Sequence, residues 1–475
     1  MATNRTVDVG RLVDEQPIRA FHIKLVLLLF CVLISDGFDL QAIGYAAPGL
    51  VKDWHIERAA LGPIFTSSLV GMLIGAPLFG WVGDRYGRRV AILAGVFIFG
   101  VVTLAAAASQ TQAQLLALRF VTGLGIGGVA ANAVALVAEY APSRVRATMI
   151  VIAQLGLTVG SMMPALVSGV FEARYGWRSQ FVVGGVAPLA ILLALLLWLP
   201  ESLKFMIVAK RPPRKILQVA NALDPGLGAD TETAFVTPGR SIAGADRFHV
   251  KQLFADGLYW ITPIIWVLFI CYLMINYFLH SWMPILFRDE GLTIGETAVT
   301  TAMFDVGGIF GALTISRMID KRGVAAIAVL FLAACPAVGV IGFINQSVYL
   351  LGGAIFFAGF CLVGITLSMN AVAGLIYPTE IRAKGVGWAN GIGRLGSISG
   401  PSLGAWLVGM HLPIAQLFLA AVVPLAIGFV LCVLLTRLCV QRFGGHRFQE
   451  QGQREPADTF DRISVPDPAL DARAR

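Results

Sequence analysis

Residues 24–51 read KLVLLLFCVLISDGFDLQAIGYAAPGLV. The run is long and apolar enough to cross a bilayer as a helix, which takes roughly twenty residues. Two acids, Asp36 and Asp39, interrupt it. A carboxylate at mid-membrane costs about 2.5–3.5 kcal/mol on insertion scales. Three-residue spacing on a helix places both acids on one face. That face must meet protein or a watery cavity and not lipid. Acids so placed either carry protons or tie helices together. We read the pair as the proton-handling element of a transporter, looking into a wet central chamber.

The rest of the chain fits that reading. Of 475 residues, 57% are hydrophobic and 13% charged, against roughly 25% charged in a soluble domain, so most of the chain belongs in lipid. The formal charge of +8 does not indicate nucleic-acid binding, because the basic residues lie in short loops between apolar runs. Cys31, Cys271, Cys335, Cys361 and Cys432 fall inside apolar runs and form no C-x-x-C pair, which suits small core residues and not metal ligands. No metal or other cofactor is expected. The first twenty residues are polar and mixed in charge, and no cleavable signal peptide is expected.

Apolar runs recur near 23–49, 60–82, 90–109, 113–138, 148–170, 180–199, 257–286, 297–318, 324–344, 348–376, 386–409 and 413–436. The expected fold is therefore all-α, with twelve transmembrane helices in two pseudo-symmetric six-helix halves. The parts are a cytoplasmic N-terminus (1–22), a first half (23–199), a central cytoplasmic linker (200–256), a second half (257–437) and a disordered tail (438–475). Arginines and lysines gather in alternate loops: Arg85, Arg88 and Arg89; Arg144 and Arg146; Lys204 to Lys215; Lys321 and Arg322; Arg382 and Lys384. That pattern places both termini in the cytoplasm.

The halves repeat. Asn132-Ala133-Val134-Ala135 recurs 238 residues on, from Asn370, and the stretch from Gln154 aligns with that from Arg394 at an offset of 240. In the second match Gly156 and Gly160 meet Gly396 and Gly400. Two such halves place a substrate site between them, near the midplane.

The most diagnostic string is Gly80-Trp81-Val82-Gly83-Asp84-Arg85-Tyr86-Gly87-Arg88-Arg89. Gly80 is expected to permit close helix approach. Asp84, at a helix C-terminal end, needs a cationic partner. The string resembles the loop 2–3 signature of the major facilitator superfamily, G-x-x-x-D-R-x-G-R-R. The resemblance implies a latch of Gly80, Asp84, Arg85, Gly87, Arg88 and Arg89, made and broken as the halves rock. Asp320-Lys321-Arg322-Gly323 is a degenerate second copy.

Gly123-Leu124-Gly125-Ile126-Gly127-Gly128 matches G-x-G-x-x-G but lies inside a span with no preceding strand. The dinucleotide reading fails, and close helix packing replaces it. Arg119, just before, completes a pattern similar to the superfamily's fourth-helix R-x-x-x-G-x-G. A guanidinium there needs a carboxylate or an anionic ligand, and Asp36 or Asp39 would serve. Proton relay and structural pairing are both open.

Asp36-Gly37-Phe38-Asp39 resembles the first-helix D-G-x-D motif of the aromatic acid:H+ symporter family. Pro200-Glu201-Ser202-Leu203-Lys204-Phe205 and Tyr377-Pro378-Thr379-Glu380-Ile381-Arg382 are similar to strings of that group and its sugar-porter relatives. The resemblance implies uptake of an aromatic carboxylate, such as 4-hydroxybenzoate, protocatechuate or benzoate, together with a proton. A carrier for another organic anion, or a proton-driven exporter, is the alternative. No P-loop, metal-spaced His/Cys set or nucleophile elbow points to an enzyme.

Arg394 stands where the first half has Gln154. Its planar fork suits a carboxylate, and it is the expected substrate contact. Tyr277 and Trp388 are candidates for an aromatic wall, and Asn276 and Asn370 for bonds to a ring hydroxyl. Asp305 is a third proton site or the resting partner of Arg394. His280 is left as a wall residue. The expected setting is a monomer in a bacterial-type inner membrane.

Overall fold

A computed structural model describes residues 6–227, 233–236, 250–255, 257–322, 324–344, 347–378 and 381–443. Twelve long helices run through them: α1 (Ala20–Trp54), α2 (Leu61–Tyr86), α3 (Arg88–Ala106), α4 (Gln112–Tyr140), α5 (Arg146–Val167), α6 (Arg178–Trp198), α7 (Ile261–Asp289), α8 (Ile294–Arg322), α9 (Val324–Ile341), α10 (Val348–Ile376), α11 (Arg382–Gly409) and α12 (Ile414–Phe443). Each expected span has its helix. The tail from residue 444, Gly323, Thr379, Glu380 and the linker segments 228–232 and 237–249 lie outside the described residues, and with them the expected disorder of most of the tail. Among the described residues, nine of these helices are long and apolar enough to cross a membrane. The other three, α1, α8 and α11, hold Asp36 and Asp39, Asp305, and Arg394.

Helix ends follow local chemistry. Thr111 and Ser347 cap α4 and α10 by accepting from the backbone N–H three residues on, which satisfies an otherwise orphaned donor. α2 stops at Gly87, whose φ of +115° is open to glycine but strained for other residues. Prolines inside the spans, such as Pro48, Pro164 and Pro284, are tolerated because neighbouring groups re-satisfy the freed carbonyls. Separately, Gln180 Nε2 of α6 donates to the Pro164 oxygen at 2.9 Å and ties α6 to α5.

Glycines set the packing and display the internal repeat. A Cβ on Gly156 or Gly160 of α5 would strike the backbone oxygen of Phe30 or Ile34 of α1. At the equivalent places, a Cβ on Gly396 or Gly400 of α11 would strike the oxygens of Ile270 and Met274 of α7. Gly123 and Gly127 press α4 on the α2 backbone at Ser68 and Met72, which is the packing role expected of the G-x-G-x-x-G string. Gly80 has a different part from the expected one. Nothing lies within 4 Å of where its Cβ would be, because it looks away from the neighbouring helices. The close approach near it is at Gly83, where a Cβ would meet Asn132 and Arg88.

Twelve crossings put the start of α1, the end of α12 and the described linker segments on one side of the bundle, here the terminal side. On the opposite side one apolar cluster joins the halves, including Leu50, Leu61, Phe65 and Trp177 of the first with Trp282 and Phe287 of the second. Phe65 meets Trp282 edge to face, with centroids 5.4 Å apart.

The N-terminus and linker hold structure that the polar reading did not foresee. Thr6–Asp8 pairs as a parallel strand with Ala234–Val236. The short helix Val9–Asp14 follows, and Asp14 accepts from the Ser143 N–H and pairs with Arg146. In the linker, the helix Pro213–Leu223 buries Ile216, Ala220 and Leu223 in the first-half core. Those positions recur at helical spacing.

Candidate functional site

Asp36 and Asp39 lie sixty degrees apart around an ideal helix, and that angle separates their surroundings. Asp39 turns into the first half. Both its carboxylate oxygens lie 2.9 Å from Arg119 Nη1, and Arg119 Nη2 donates to its backbone oxygen at 3.1 Å. Thr103 of α3 donates a further bond at 3.1 Å. Asp39 is fully buried and Arg119 is 1% exposed. The Arg119 guanidinium lies 6.0 Å from the centre of the Phe181 ring. This is a closed ion pair inside one half. Asp39 faces protein here, in place of the expected wet chamber.

Asp36 turns towards the other half. Its Oδ1 is buried and accepts no hydrogen bond. Arg394 of α11 and Tyr277 of α7 lie within electrostatic range, and Arg394 also acts on Tyr272. Tyr277 and Ile398 are second-half residues that pack on the first-half core, so this group stands at the seam. Among the described residues Arg394 makes no ion pair or hydrogen bond. The seam thus holds a carboxylate oxygen and a guanidinium from opposite halves, neither directly paired, beside a tyrosine. Such a set can receive a carboxylate on the guanidinium and a proton on the acid.

The other expected residues are dispersed. Asp305 is not the resting partner of Arg394. Its Oδ1 lies 2.8 Å from Ser161 Oγ of α5 and 3.4 Å from His280 Nε2, because α8 packs against α5 and α7 there. Trp388 stacks on Trp266, with centroids 6.2 Å apart, nearly two helical turns from Arg394 towards the terminal side. Asn370 accepts from Asn390 at 2.8 Å and donates to the Thr366 oxygen at 3.1 Å, the helix-to-helix role left open for it. The Asn276 backbone oxygen holds His280 Nδ1 at 2.9 Å.

The string around Asp84 forms a charged network on the terminal side. Asp84 is exposed and pairs with Arg88 at 2.6 Å, supplying the cationic partner expected for it. Arg88 also reaches Asn132 Oδ1 at 3.2 Å and Glu139 at 3.7 Å. Arg89 donates to the Leu196 oxygen from its side chain and to Glu201 Oε1 from its backbone. Arg85 lies over Trp81 and Tyr86 at 6.0 Å. Ser202 donates to Glu139, and Tyr140 to the Glu201 backbone oxygen. Burial pushes the Glu201 carboxyl above its ordinary range, against bonds from the Ser202 and Arg89 backbones that pull it down. These partners all belong to the first half or to the start of the linker. Glu139, Asn132 and Glu201, which bond within this network, were not among the expected site residues. The one signal for Glu201 was the Pro-Glu-Ser string after α6.

On the opposite side the halves are bonded directly. Tyr45 and Thr301 share a hydrogen bond at 2.6 Å. Arg58 pairs with Asp289 at 2.8 Å. A Cβ on Gly409 would stand 3.4 Å from the Ala59 Cβ. Among the described residues, the hydrogen bonds and ion pairs that cross between the halves lie from Ser161–Asp305 outwards to this side.

The family model for the Major Facilitator Superfamily matches residues 29–342 and, in a second segment, 298–458. The chain is 35% identical over 422 residues to the 4-hydroxybenzoate transporter PcaK of Pseudomonas aeruginosa, covering 89% of this chain and 94% of that protein. It is 34% identical to a gallate transporter of Pseudomonas putida, over 87% of this chain and 91% of the relative. A benzoate transport protein of Acinetobacter baylyi is 29% identical over 91% and 93%. Among solved structures, a bacterial homologue of the lysosomal transporter Spinster superposes with a TM-score of 0.70 at 18% identity, covering 90% of this chain and 99% of that one. A D-xylose-proton symporter gives 0.67, also at 18% identity, over 88% and 98%.

Proposed function

The chain belongs to the major facilitator superfamily, and on that premise we propose that it carries an aromatic carboxylate across the membrane together with a proton. It is a transporter and not an enzyme. Relatives that transport 4-hydroxybenzoate, gallate and benzoate support the substrate class. The observation that carries the mechanism is the pair at the seam, Asp36 with an unbonded buried oxygen and Arg394 with no direct partner.

In the proposed cycle the substrate carboxylate takes the fork of Arg394, and Asp36 takes the proton. The bound proton offsets the anion's charge, so the loaded site crosses the membrane field at less cost. Tyr277 lies within electrostatic range of both and is read as meeting the bound acid. Asp39 and Arg119 form the fixed wall behind Asp36. The site uses residues of both halves of one chain, which supports a monomer. The Lys and Arg bias of the loops supports an inner-membrane orientation with the terminal side in the cytoplasm. With the opposite side bonded shut, this conformation is read as open to the cytoplasm. The network around Asp84, whose partners lie in the first half and at the start of the linker here, is read as released from the second half in this state.

The test is uptake of labelled 4-hydroxybenzoate into proteoliposomes with and without an imposed pH gradient. Accumulation is expected only with the gradient. Absence of gradient-dependent uptake for 4-hydroxybenzoate, protocatechuate and benzoate alike would overturn the reading.

A further inference from the structure

His280, Asp305 and Ser161 are three polar groups on three helices, α7, α8 and α5. They meet where the halves join. Asp305 is 7% exposed, and Ser161 is buried. Their hydrogens can be counted. His280 Nδ1 lies 2.9 Å from the Asn276 backbone oxygen. A carbonyl only accepts, so Nδ1 carries a hydrogen. Nε2 faces Asp305 Oδ1 at 3.4 Å. In a neutral ring with Nδ1 protonated, Nε2 is a bare acceptor, and an ionised carboxylate is one too.

Ser161 sharpens the count. Its oxygen lies 2.7 Å from the Thr158 backbone oxygen and 2.8 Å from Asp305 Oδ1. One hydroxyl hydrogen cannot serve both. Without another proton, the chain of atoms from the imidazole through Oδ1 and Oγ to the Thr158 oxygen contains two acceptor-to-acceptor contacts. A proton on Nε2 turns the imidazole contact into a charge-assisted bond. A proton on the carboxyl lets Asp305 donate to Ser161 while Ser161 donates to Thr158. Either placement removes one conflict, and both belong to the same pair of residues.

We propose that His280 and Asp305 form a second proton-binding site, holding one exchangeable proton between them at the place where Ser161 bridges the two halves. The site is separate from Asp36, which lies with Arg394 around Tyr277, one turn of α7 nearer the terminal side. Tyr45 of α1 is a titratable group within electrostatic range of Asp305, and it is held by Thr301, one turn along α8 from Asp305. Glu172 and Arg288 lie beyond it, lining a small cavity with Tyr45 and Thr297. Phe304 of α8 closes the other flank, its ring centroid 4.6 Å from that of His280. Because the Ser161 contact crosses between the halves, loading and unloading of this proton acts on one of the bonds that join them.

The proposal deepens the proton-coupled reading and rests on it for its role in transport, but occupancy by a proton can be measured without turnover. Infrared titration of the purified protein in detergent reads carboxyl and imidazole protonation directly. Wild type should show a titration step that is lost in both His280→Gln and Asp305→Asn. If either variant keeps the step, the proton is not shared and the proposal fails. Ser161→Ala leaves both titrating groups in place and should retain the step with a displaced midpoint. An unchanged midpoint would overturn the placement at the bridge, and this arm stands even where the other two variants do not fold. In proteoliposomes, the proton-to-substrate ratio should fall by one in the turnovers His280→Gln still performs, and an unchanged ratio would remove the site from the transport cycle. Absence of gradient-driven uptake by wild type would count against the transport reading alone and leave the titration result standing.

Discussion

Arg119 grips Asp39 three times, with Nη1 2.9 Å from each carboxylate oxygen and Nη2 on the backbone oxygen of the same residue. Both are out of contact with solvent. Removing one partner leaves an uncompensated buried charge, which costs about 3–5 kcal/mol. Arg119→Gln and Asp39→Asn should each lower the unfolding temperature in detergent sharply and abolish gradient-driven uptake. The double variant should recover much of the stability and none of the uptake. Full stability in either single variant would show that the pair is not a wall.

Asp36 and Arg394 should behave in the opposite way. Asp36 Oδ1 has no hydrogen bond to lose, so Asp36→Asn should change stability by less than about 0.5 kcal/mol, as for sites away from a bonded network. It should nevertheless weaken the dependence of uptake on the pH gradient and lower the proton-to-substrate ratio by one. Arg394→Lys keeps the charge but loses the planar fork. Substrate affinity, measured by equilibrium binding, should fall about tenfold, equivalent to about 1.4 kcal/mol. Unchanged affinity would assign Arg394 a structural part.

The glycines give a contrast within one experiment. A Cβ on Gly160 or Gly400 would enter the backbone of Ile34 or Met274, and backbone cannot move aside as a side chain can. Alanine at either place should cost about 1–3 kcal/mol or more, as overpacking does. Gly80→Ala should be neutral or slightly stabilising, since the space is open and alanine favours helix by about 1 kcal/mol. Thermal unfolding of the three variants side by side checks the ranking.

Ala59 and Gly409 lie at facing loop ends of the two halves. Their Cβ separation of 3.4 Å is just under the usual range for a disulfide, about 3.5–4.5 Å. With Ala59→Cys and Gly409→Cys combined, oxidation should cross-link the halves and stop transport, and reduction should restore it. Transport that continues under complete cross-linking would mean this side need not open.

Glu201 supplies a pH dependence. Burial holds its folded-state pKa above the ordinary value, so the folded protein takes up this proton before the unfolded chain does. Its part of the stability therefore rises as pH falls through the folded pKa, and levels off below the unfolded value of about 4.3. Unfolding temperature followed against pH should show this segment in wild type and lose it in Glu201→Gln.

The apolar runs announced every long helix because lipid imposes a length and a composition that few other environments do. The repeat was legible too, since Gly156 and Gly160 must be small for the same reason as Gly396 and Gly400. The site was legible only in part. Spacing says that Asp36 and Asp39 share a face, but not that a seam between two halves runs between them. The partner of Arg119 was foreseen as one of two acids, and only packing chose Asp39. Gly80 misled because a motif glycine shows where small size is kept, and not which neighbour demands it. The meeting of Ser161, His280 and Asp305 draws on three helices whose order in space no local pattern records.

The pairing of Thr6–Asp8 with Ala234–Val236 bears on how the chain is made. The first strand precedes all twelve long helices, and its partner follows only after six of them. Until then its edge is unmatched, and the finished first half is not yet fastened. The small sheet can therefore close as soon as the linker strand is made, before any helix of the second half exists.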